Sequence, residues 1–422
     1  MMSPKLRNAA LLFLAGMLVV HGYAFWNVRR LVLTGYADFT SFYGAGKTIR
    51  LGHATRLYDA AEQWTVQQTF APRVEIRKGP LPYLRPPFEA LLFVPLTFLP
   101  YSAAYLLWFA FNLCVVIAAA LVLRREIPFF QGWPPWLLPL LALAFTPVFL
   151  ALLQGQDCIL LLLLYCLAFV ALERDADILA GCVLGLGLFK PHLVLPFVLL
   201  LWLQSRKKVL IGLLAVGLAL FLVSLAMVGW PVLLHYPAGI WWLEQHTQLG
   251  LVPPDNTPNI RGLIEGFLSG SFPHWATTAL IAVISIALFL WAAMQKKAAM
   301  GSIAGIRTLV FCQALVVTFL VSYHAFAYDL SVMLLPIGLL LAQFWTEQRQ
   351  PAKWDSLAFL GPMAILLFGP VYPILWFRFH ALNLMAIVLL IWAWGISREL
   401  GRLQAELSST GTVMGSMDLE RL

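Results

Sequence analysis

The side chains in this chain that could do chemistry lie where apolar runs give way to polar turns, and Asp38 is the foremost of them. It stands in Tyr36-Ala37-Asp38-Phe39-Thr40-Ser41-Phe42-Tyr43, about a dozen residues past the first apolar stretch. A carboxylate there can cap a helix by accepting from the amides of Thr40 or Ser41. It can equally take a proton from a hydroxyl brought to the membrane surface. Spacing leaves the two roles balanced, and one residue can serve both. Asp157, in Gln154-Gly155-Gln156-Asp157 at the head of an apolar run, reads first as a helix cap and second as a carboxylate facing a cavity, where it would need a partner. Lys190 interrupts the apolar run from Ile178 to Trp202, with Pro191 breaking the helix behind it. Such a lysine can snorkel to the interface, but with His192 beside it a phosphate-binding role is the stronger reading. His324 and Asp329 flank another apolar run. A lone interfacial histidine is more often structural, and Tyr323 and Tyr328 fit an aromatic belt.

Other patterns are missing or misplaced. Asp175-Ala176-Asp177 matches the D-x-D by which soluble sugar transferases hold a metal and a nucleotide sugar, but it sits in a short connector with no α/β domain around it and reads as a solvated turn. There is no P-loop, no GxGxxG after a strand and no HExxH, which argues against nucleotide-driven chemistry. Cys114, Cys158, Cys166, Cys182 and Cys312 lie in or beside apolar segments, without a CxxC or a His at ligand spacing. That disfavours both a disulfide framework and a zinc site, so no metal or cofactor is expected.

The elements that must position these residues are membrane helices. With 61% hydrophobic and 11% charged residues over 422 positions, the chain carries more apolar side chain than a soluble domain could bury. Apolar runs of roughly 17 to 23 residues recur along it, each long enough to cross a hydrocarbon core of about 30 Å. The net charge of +8 is spread in short Lys and Arg clusters between those runs, not gathered on a basic face, so nucleic acid is not a partner. The first run, Ala9 to Trp26, is an uncleaved anchor by its length and by the spans behind it.

Placing Lys5/Arg7, Arg124/Arg125, Arg206/Lys207/Lys208, Lys296/Lys297, Arg349/Lys353 and Arg398/Arg402 in the cytoplasm gives about twelve spans with both termini inside. In that scheme Phe88 to Leu99, bounded by Pro86-Pro87 and Pro100, dips in without crossing. Every polar motif then falls on the outer face, in the loops 27–87 and 230–273 and in the turns at 154–157, 190–192 and 323–324. Residues 1–407 form one polytopic domain, and the polar tail 408–422 is expected to be disordered. Within 27–87, Phe39, Phe42, Tyr43, Gly46, Ile49 and Arg50 have helical spacing and Gly52 ends the run, which predicts an amphipathic helix on the membrane surface. Asp59 with Glu62 makes an acidic variant of the capping box for a second helix.

With Leu57-Tyr58-Asp59, Pro86-Pro87 followed by Pro95-Leu96 and Leu99-Pro100, Gly155-Gln156, and Gly181 through Gly185 to Lys190-Pro191 in view, the chain resembles bacterial glycosyltransferase family 87, the polyprenol-phosphate-mannose-dependent group of the GT-C superfamily. The resemblance runs to about Trp345 and rests on the order of motifs. It departs at Arg85, where an aromatic would be expected before the double proline, and in 230–273. It implies an all-α, GT-C-type bundle in the bacterial inner membrane that moves a sugar, mannose or another hexose, from a polyprenyl-phosphate donor to a lipid or glycan acceptor outside the cytoplasm, with inversion. Asp38 matches the family's aspartate in the first extracytoplasmic loop and would be the base. A polyprenyl phosphate leaves as a stable anion, so one base suffices. Lys190, His192 and His324 would neutralise the departing phosphate. Tyr58, Arg85, Gln156 and Asp157 would line the cavity, and Phe42, Tyr43, Trp241 and Trp242 would hold the sugar ring. A transporter, flippase or ligase of lipid-linked saccharides is the alternative, although transporters commonly show repeats and midplane charge.

Overall fold

A computed structural model describes residues 4–74, 79–246, 253–268, 271–295, 304–346 and 353–419. Among the described residues there are helices and no strands. This is how a backbone satisfies its own hydrogen bonds without water. The order is α1 (Pro4–Leu33), α2 (Phe39–Arg50), α3 (Ala60–Gln68), α4 (Pro87–Phe93, prolonged by a 3-10 turn, Val94–Phe98), α5 (Tyr101–Glu126), α6 (Pro128–Gln131), α7 (Leu137–Ala144), α8 (Thr146–Gln154), α9 (Cys158–Glu173), α10 (Asp177–Leu186), α11 (Pro191–Leu203), α12 (Lys208–His246), α13 (Ile260–Leu268), α14 (His274–Ala293), α15 (Ala304–Val321), a 3-10 turn (Ala327–Met333) leading into α16 (Leu334–Thr346), α17 (Lys353–Leu367) and α18 (Met385–Leu419).

Among the described residues six helices are long and apolar enough to cross a membrane, and two bent pairs raise the number to eight. Against the twelve spans expected, five further apolar helices have only 10–17 residues, fewer than the about 20 of a full crossing. Pro87–Phe98 is one of them. α18 continues as helix to Leu419, through most of the tail expected to be disordered. The stretch 230–273 likewise carries helix, the end of α12 beyond a kink at Gly229 (φ 78°) and then α13.

The ends of the bundle are chemically distinct. At one end the connectors are stapled by ion pairs: Arg174 to Glu126 at 2.7 Å, Arg206 to Asp175 at 2.8 Å and to Asp177 at 2.9 Å, and Arg307 to Asp175 at 3.4 Å. The D-x-D is thus neutralised by arginines. A cavity of about 40 Å³ beside it, lined by Phe169, Gln204, Arg206 and Arg307, has room for a water or two and not for a sugar. The turns carrying Asp38, Asp157, Lys190 and Asp329 converge elsewhere.

Small residues set how closely the helices approach. A Cβ on Gly181 would lie 1.9 Å from the Val209 carbonyl oxygen, and one on Gly212 would lie 2.0 Å from that of Ile178. Helices α10 and α12 therefore meet backbone to backbone, as small-residue seams do in membranes, and this fixes the chain that leaves α10 for Lys190. α7 and α8 bend by 74°. His21 of α1 bridges the bend, its Nδ1 3.2 Å from the Leu143 carbonyl and its Nε2 3.3 Å from the Thr146 hydroxyl.

The predicted surface helix is instead part of a core. Every residue of α2 from Phe39 to Gly46 is buried, and a Cβ on Gly46 would stand 2.8 Å from the Phe93 carbonyl carbon. Its aromatic residues occupy more than one face, so α3, α4 and α5 pack around it and leave no broad face for lipid. Gly52 does end the run, at φ +82°. Asp59 caps α3 by accepting from Ala61 N and Glu62 N. Glu62 does not complete the box, because its carboxylate is taken by His53 and Arg56 at 2.7 and 2.6 Å.

Candidate active site

The site is organised by four consecutive residues, Gln154 to Asp157. Gly155 ends α8 in the left-handed region (φ 65°), and a Cβ there would also meet the Cβ of Phe39 at 2.8 Å. Only glycine satisfies both demands. α5 holds the turn by its exposed carbonyls: Trp108 Nε1 donates to Gly155 O at 2.8 Å and Tyr105 Oη to Leu153 O at 2.8 Å. Gln154 Oε1 then accepts from the backbone N–H of Asp38 at 3.0 Å, while Gln156 Nε2 donates to the Asp38 carboxylate at 2.7 Å. Gly155→Ala should therefore lower stability by about 1–2 kcal/mol through its positive φ alone, and lower any activity that depends on Asp38 further by moving Gln156. Thermal unfolding and turnover of the variant check this, and wild-type values for both would contradict it.

Asp38 stands at the N-cap of α2, but its side chain makes no cap hydrogen bond to the helix. Its carboxylate is partly exposed and engaged by Gln156. Asp157, for which capping was the first reading, makes no cap bond either. Its Oδ1 is 3.0 Å from Lys190 Nζ and 3.4 Å from Arg85 Nη2. Burial opposes its ionisation, yet Arg85 and Lys190 outweigh that and hold its pKa below the usual carboxylate range. Lys190 is 0% exposed and also meets Asp329 Oδ1 at 2.5 Å, so its charge is matched inside the protein. Asp329 Oδ2 accepts from Phe326 N at 3.0 Å.

Arg85 joins the parts. Its Nη2 donates to Gln156 Oε1 at 3.4 Å and to Asp157 Oδ1 at 3.4 Å, both long contacts, and its guanidinium lies 6.0 Å from the centre of the Phe42 ring. Tyrosines pin its backbone. Tyr58 Oη donates to Arg85 O at 2.7 Å, Tyr236 Oη donates to Leu84 O at 3.0 Å, and the two rings pack 4.9 Å apart. His192 and His324 meet edge to face at 6.1 Å. Burial, reinforced by Arg261 and Arg85, pushes the His324 pKa down to about 3, so its imidazole is neutral at neutral pH.

Two tiers result. Asp38, Tyr58, Arg85, His192, Tyr236, His324 and Tyr328 keep part of their surface exposed, whereas Tyr83, Glu89, Gln156, Asp157, Lys190 and Asp329 are buried beneath them. The upper tier is the part open to a ligand, and the lower one holds it in place from within the protein. Tyr43, expected at the cavity wall, packs in the core around α2: its hydroxyl donates to Leu99 O at 2.8 Å and its ring meets Phe70 and Tyr101. Trp241 and Trp242 have side chains outside the described residues. Among the described residues no group of three His, Cys, Asp or Glu is placed to hold a metal ion.

Glu89, Gln154 and Tyr236 were not singled out by the sequence. Glu89 did leave a signal, as the one acid in the apolar segment Phe88 to Leu99, where an ionisable residue calls for a partner.

Curated proteins and solved structures give no significant match. Residues 83–322 match glycosyltransferase family 87. The matched stretch includes Arg85, Glu89, Gln156, Asp157, Lys190 and His192, with Asp38 before it and His324 and Asp329 just after. It covers more than half of the chain, and together with the membrane-crossing helices it establishes that this protein belongs to glycosyltransferase family 87.

Proposed function

We propose that this glycosyltransferase moves a hexose, with mannose the first candidate, from a polyprenyl-phosphate donor to a hydroxyl of a lipid or glycan acceptor, on a GT-C-type scaffold whose site faces away from the cytoplasm of a bacterial inner membrane. One observation carries the reading: a single amide, Gln156, donates to the Asp38 carboxylate and accepts from the Arg85 guanidinium. A base and a cation are thereby held beside each other in the exposed tier. Inverting transfer from a phosphate leaving group needs those two functions.

In this scheme the acceptor oxygen attacks the anomeric carbon as its proton passes to Asp38. The bond to the phosphate oxygen breaks on the opposite face, and the phosphate leaves as an anion. Arg85 receives that anion, a role its planar fork suits better than an ammonium would, with His192 and neutral His324 as further donors. Lys190 takes a supporting place, since its ammonium is already committed to Asp157 and Asp329.

The test is transfer by purified protein in lipid, offered a set of polyprenyl-phosphate sugars and, separately, nucleotide sugars. Turnover is expected only with the former, and Arg85→Ala should lower it roughly tenfold to a hundredfold, as loss of a charge-assisted contact does. Turnover on a nucleotide sugar alone, in protein free of lipid-linked sugars, would overturn the donor class. An Arg85→Ala variant with wild-type kinetics would remove Arg85 from the phosphate.

A further inference from the structure

Glu89 projects from α4 into the buried tier and is 3% exposed. Its Oε2 lies 3.3 Å from the Tyr83 hydroxyl, whose single proton also faces the Pro86 carbonyl oxygen at 3.0 Å. Its Oε1, like Oδ2 of Asp157, is buried and has no hydrogen-bond partner among the described residues. Glu89 and Asp157 thus each keep one buried carboxyl oxygen without a partner, and each acid is among the other's nearest electrostatic neighbours. Ionised carboxylates only accept, so a bond between two of them requires a proton on one. Two like charges in contact do not both survive in a buried site.

Which acid keeps the proton follows from the neighbours. Asp157 Oδ1 faces two cations, Lys190 at 3.0 Å and Arg85 at 3.4 Å. The titratable and charged groups around Glu89 are Tyr83 and Arg85 from the preceding loop, Tyr58 from the first outer segment, Tyr236 from α12, Asp157 at the head of α9 and Lys190 at the head of α11. Among the described residues no lysine or arginine forms an ion pair with Glu89, whereas Asp157 has two. Ionisation is thus favoured on Asp157. We infer that Glu89 is a neutral carboxylic acid that donates its proton to Asp157 Oδ2, and is a positioning residue for the carboxylate on which Arg85 and Lys190 converge.

The charges explain why an acid held neutral belongs here. Arg85 and Lys190 are balanced by Asp157 and Asp329. An ionised Glu89 would add an uncompensated negative charge just where an anionic leaving group must be received. That catalytic consequence rests on the proposed phosphate donor, but the protonation of Glu89 does not.

Infrared difference spectroscopy of the full-length protein at neutral pH, wild type minus Glu89→Gln, tests the protonation. Loss of a C=O band of a protonated carboxylic acid is expected. Loss of carboxylate bands alone would overturn the inference, whatever the donor turns out to be. Turnover tests the positioning role. Glu89→Leu, which leaves Asp157 Oδ2 without a donor, should lose roughly tenfold to a hundredfold. Glu89→Gln should rescue most of that loss without shifting the pH profile, because its amide N–H still donates to Asp157. Equal losses in both variants would mean that the negative charge is needed, and wild-type turnover in both would mean that Glu89 positions nothing. Either result refutes the proposal, and should Glu89→Leu fail to fold, the infrared comparison and Glu89→Gln still decide it.

Discussion

Asp38→Asn should fold like the wild type and transfer sugar at least about a hundredfold more slowly, the usual range for loss of a general base. The two halves of that expectation come from the same contact. Gln156 Nε2 donates to the Asp38 carboxylate at 2.7 Å, and the oxygen of an asparagine can accept the same bond. The backbone N–H of residue 38 still reaches Gln154 Oε1, and α2 loses nothing at its start, because Asp38 makes no side-chain cap bond to it. Stability is therefore conserved. An amide cannot accept the proton of the acceptor hydroxyl, so the chemical step suffers while donor binding persists. The measurements are thermal unfolding, donor affinity and turnover on one preparation. Turnover near wild type would remove Asp38 from the base role and make Asp157 or Asp329 the next to test.

Lys190→Ala should cost stability before it costs anything else, by about 3–5 kcal/mol, the usual penalty for stripping one partner from a buried ion pair. Asp157 and Asp329 are 1% and 2% exposed and both lie within 3.0 Å of the Lys190 ammonium. Without it two carboxylates stay buried, and among the described residues the cation left in contact with them is Arg85, 3.4 Å from Asp157. A second substitution, Asp329→Asn, removes one of those charges and should restore part of the loss, because the two sites share an interaction and are not additive. Thermal midpoints of the single and double variants decide this. A Lys190→Ala protein with wild-type stability and weakened donor affinity would return Lys190 to direct contact with the phosphate.

The contrast between these residues shows what the sequence could and could not convey. Apolar run lengths and basic connectors gave the helical membrane class, because every backbone group in lipid must be satisfied and charge is sorted between loops. The position of Asp38 after the first run was visible for the same reason. Its partner was not, since Gln156 reaches it across 118 positions of chain. Lys190 looked available because a cation beside a proline at the end of an apolar run reads the same whether it snorkels or pairs. Its carboxylates lie in two other connectors. Glu89 was overlooked because one acid hardly alters the apolar character of its segment. The burial of α2 escaped because an amphipathic helix on a membrane and one wrapped by neighbouring helices share a periodicity. About twelve crossings were expected, whereas six to eight spans among the described residues are long enough, because several apolar helices are shorter than the bilayer core.

The turn at Gln154–Asp157 acts as a ruler. Within four residues it grips the backbone of Asp38, its carboxylate, and the carboxylate on which both cations rest. In the proposed reaction the gap between the attacking oxygen and the departing phosphate would thus be set by the hydrogen bonds of one short stretch of chain, independent of which sugar lies across it. All hexosyl phosphates present the same span from anomeric carbon to phosphorus. Discrimination among sugars consequently belongs to the walls that meet the ring's other hydroxyls, and those walls can be recut to change the sugar while the ruler is left alone.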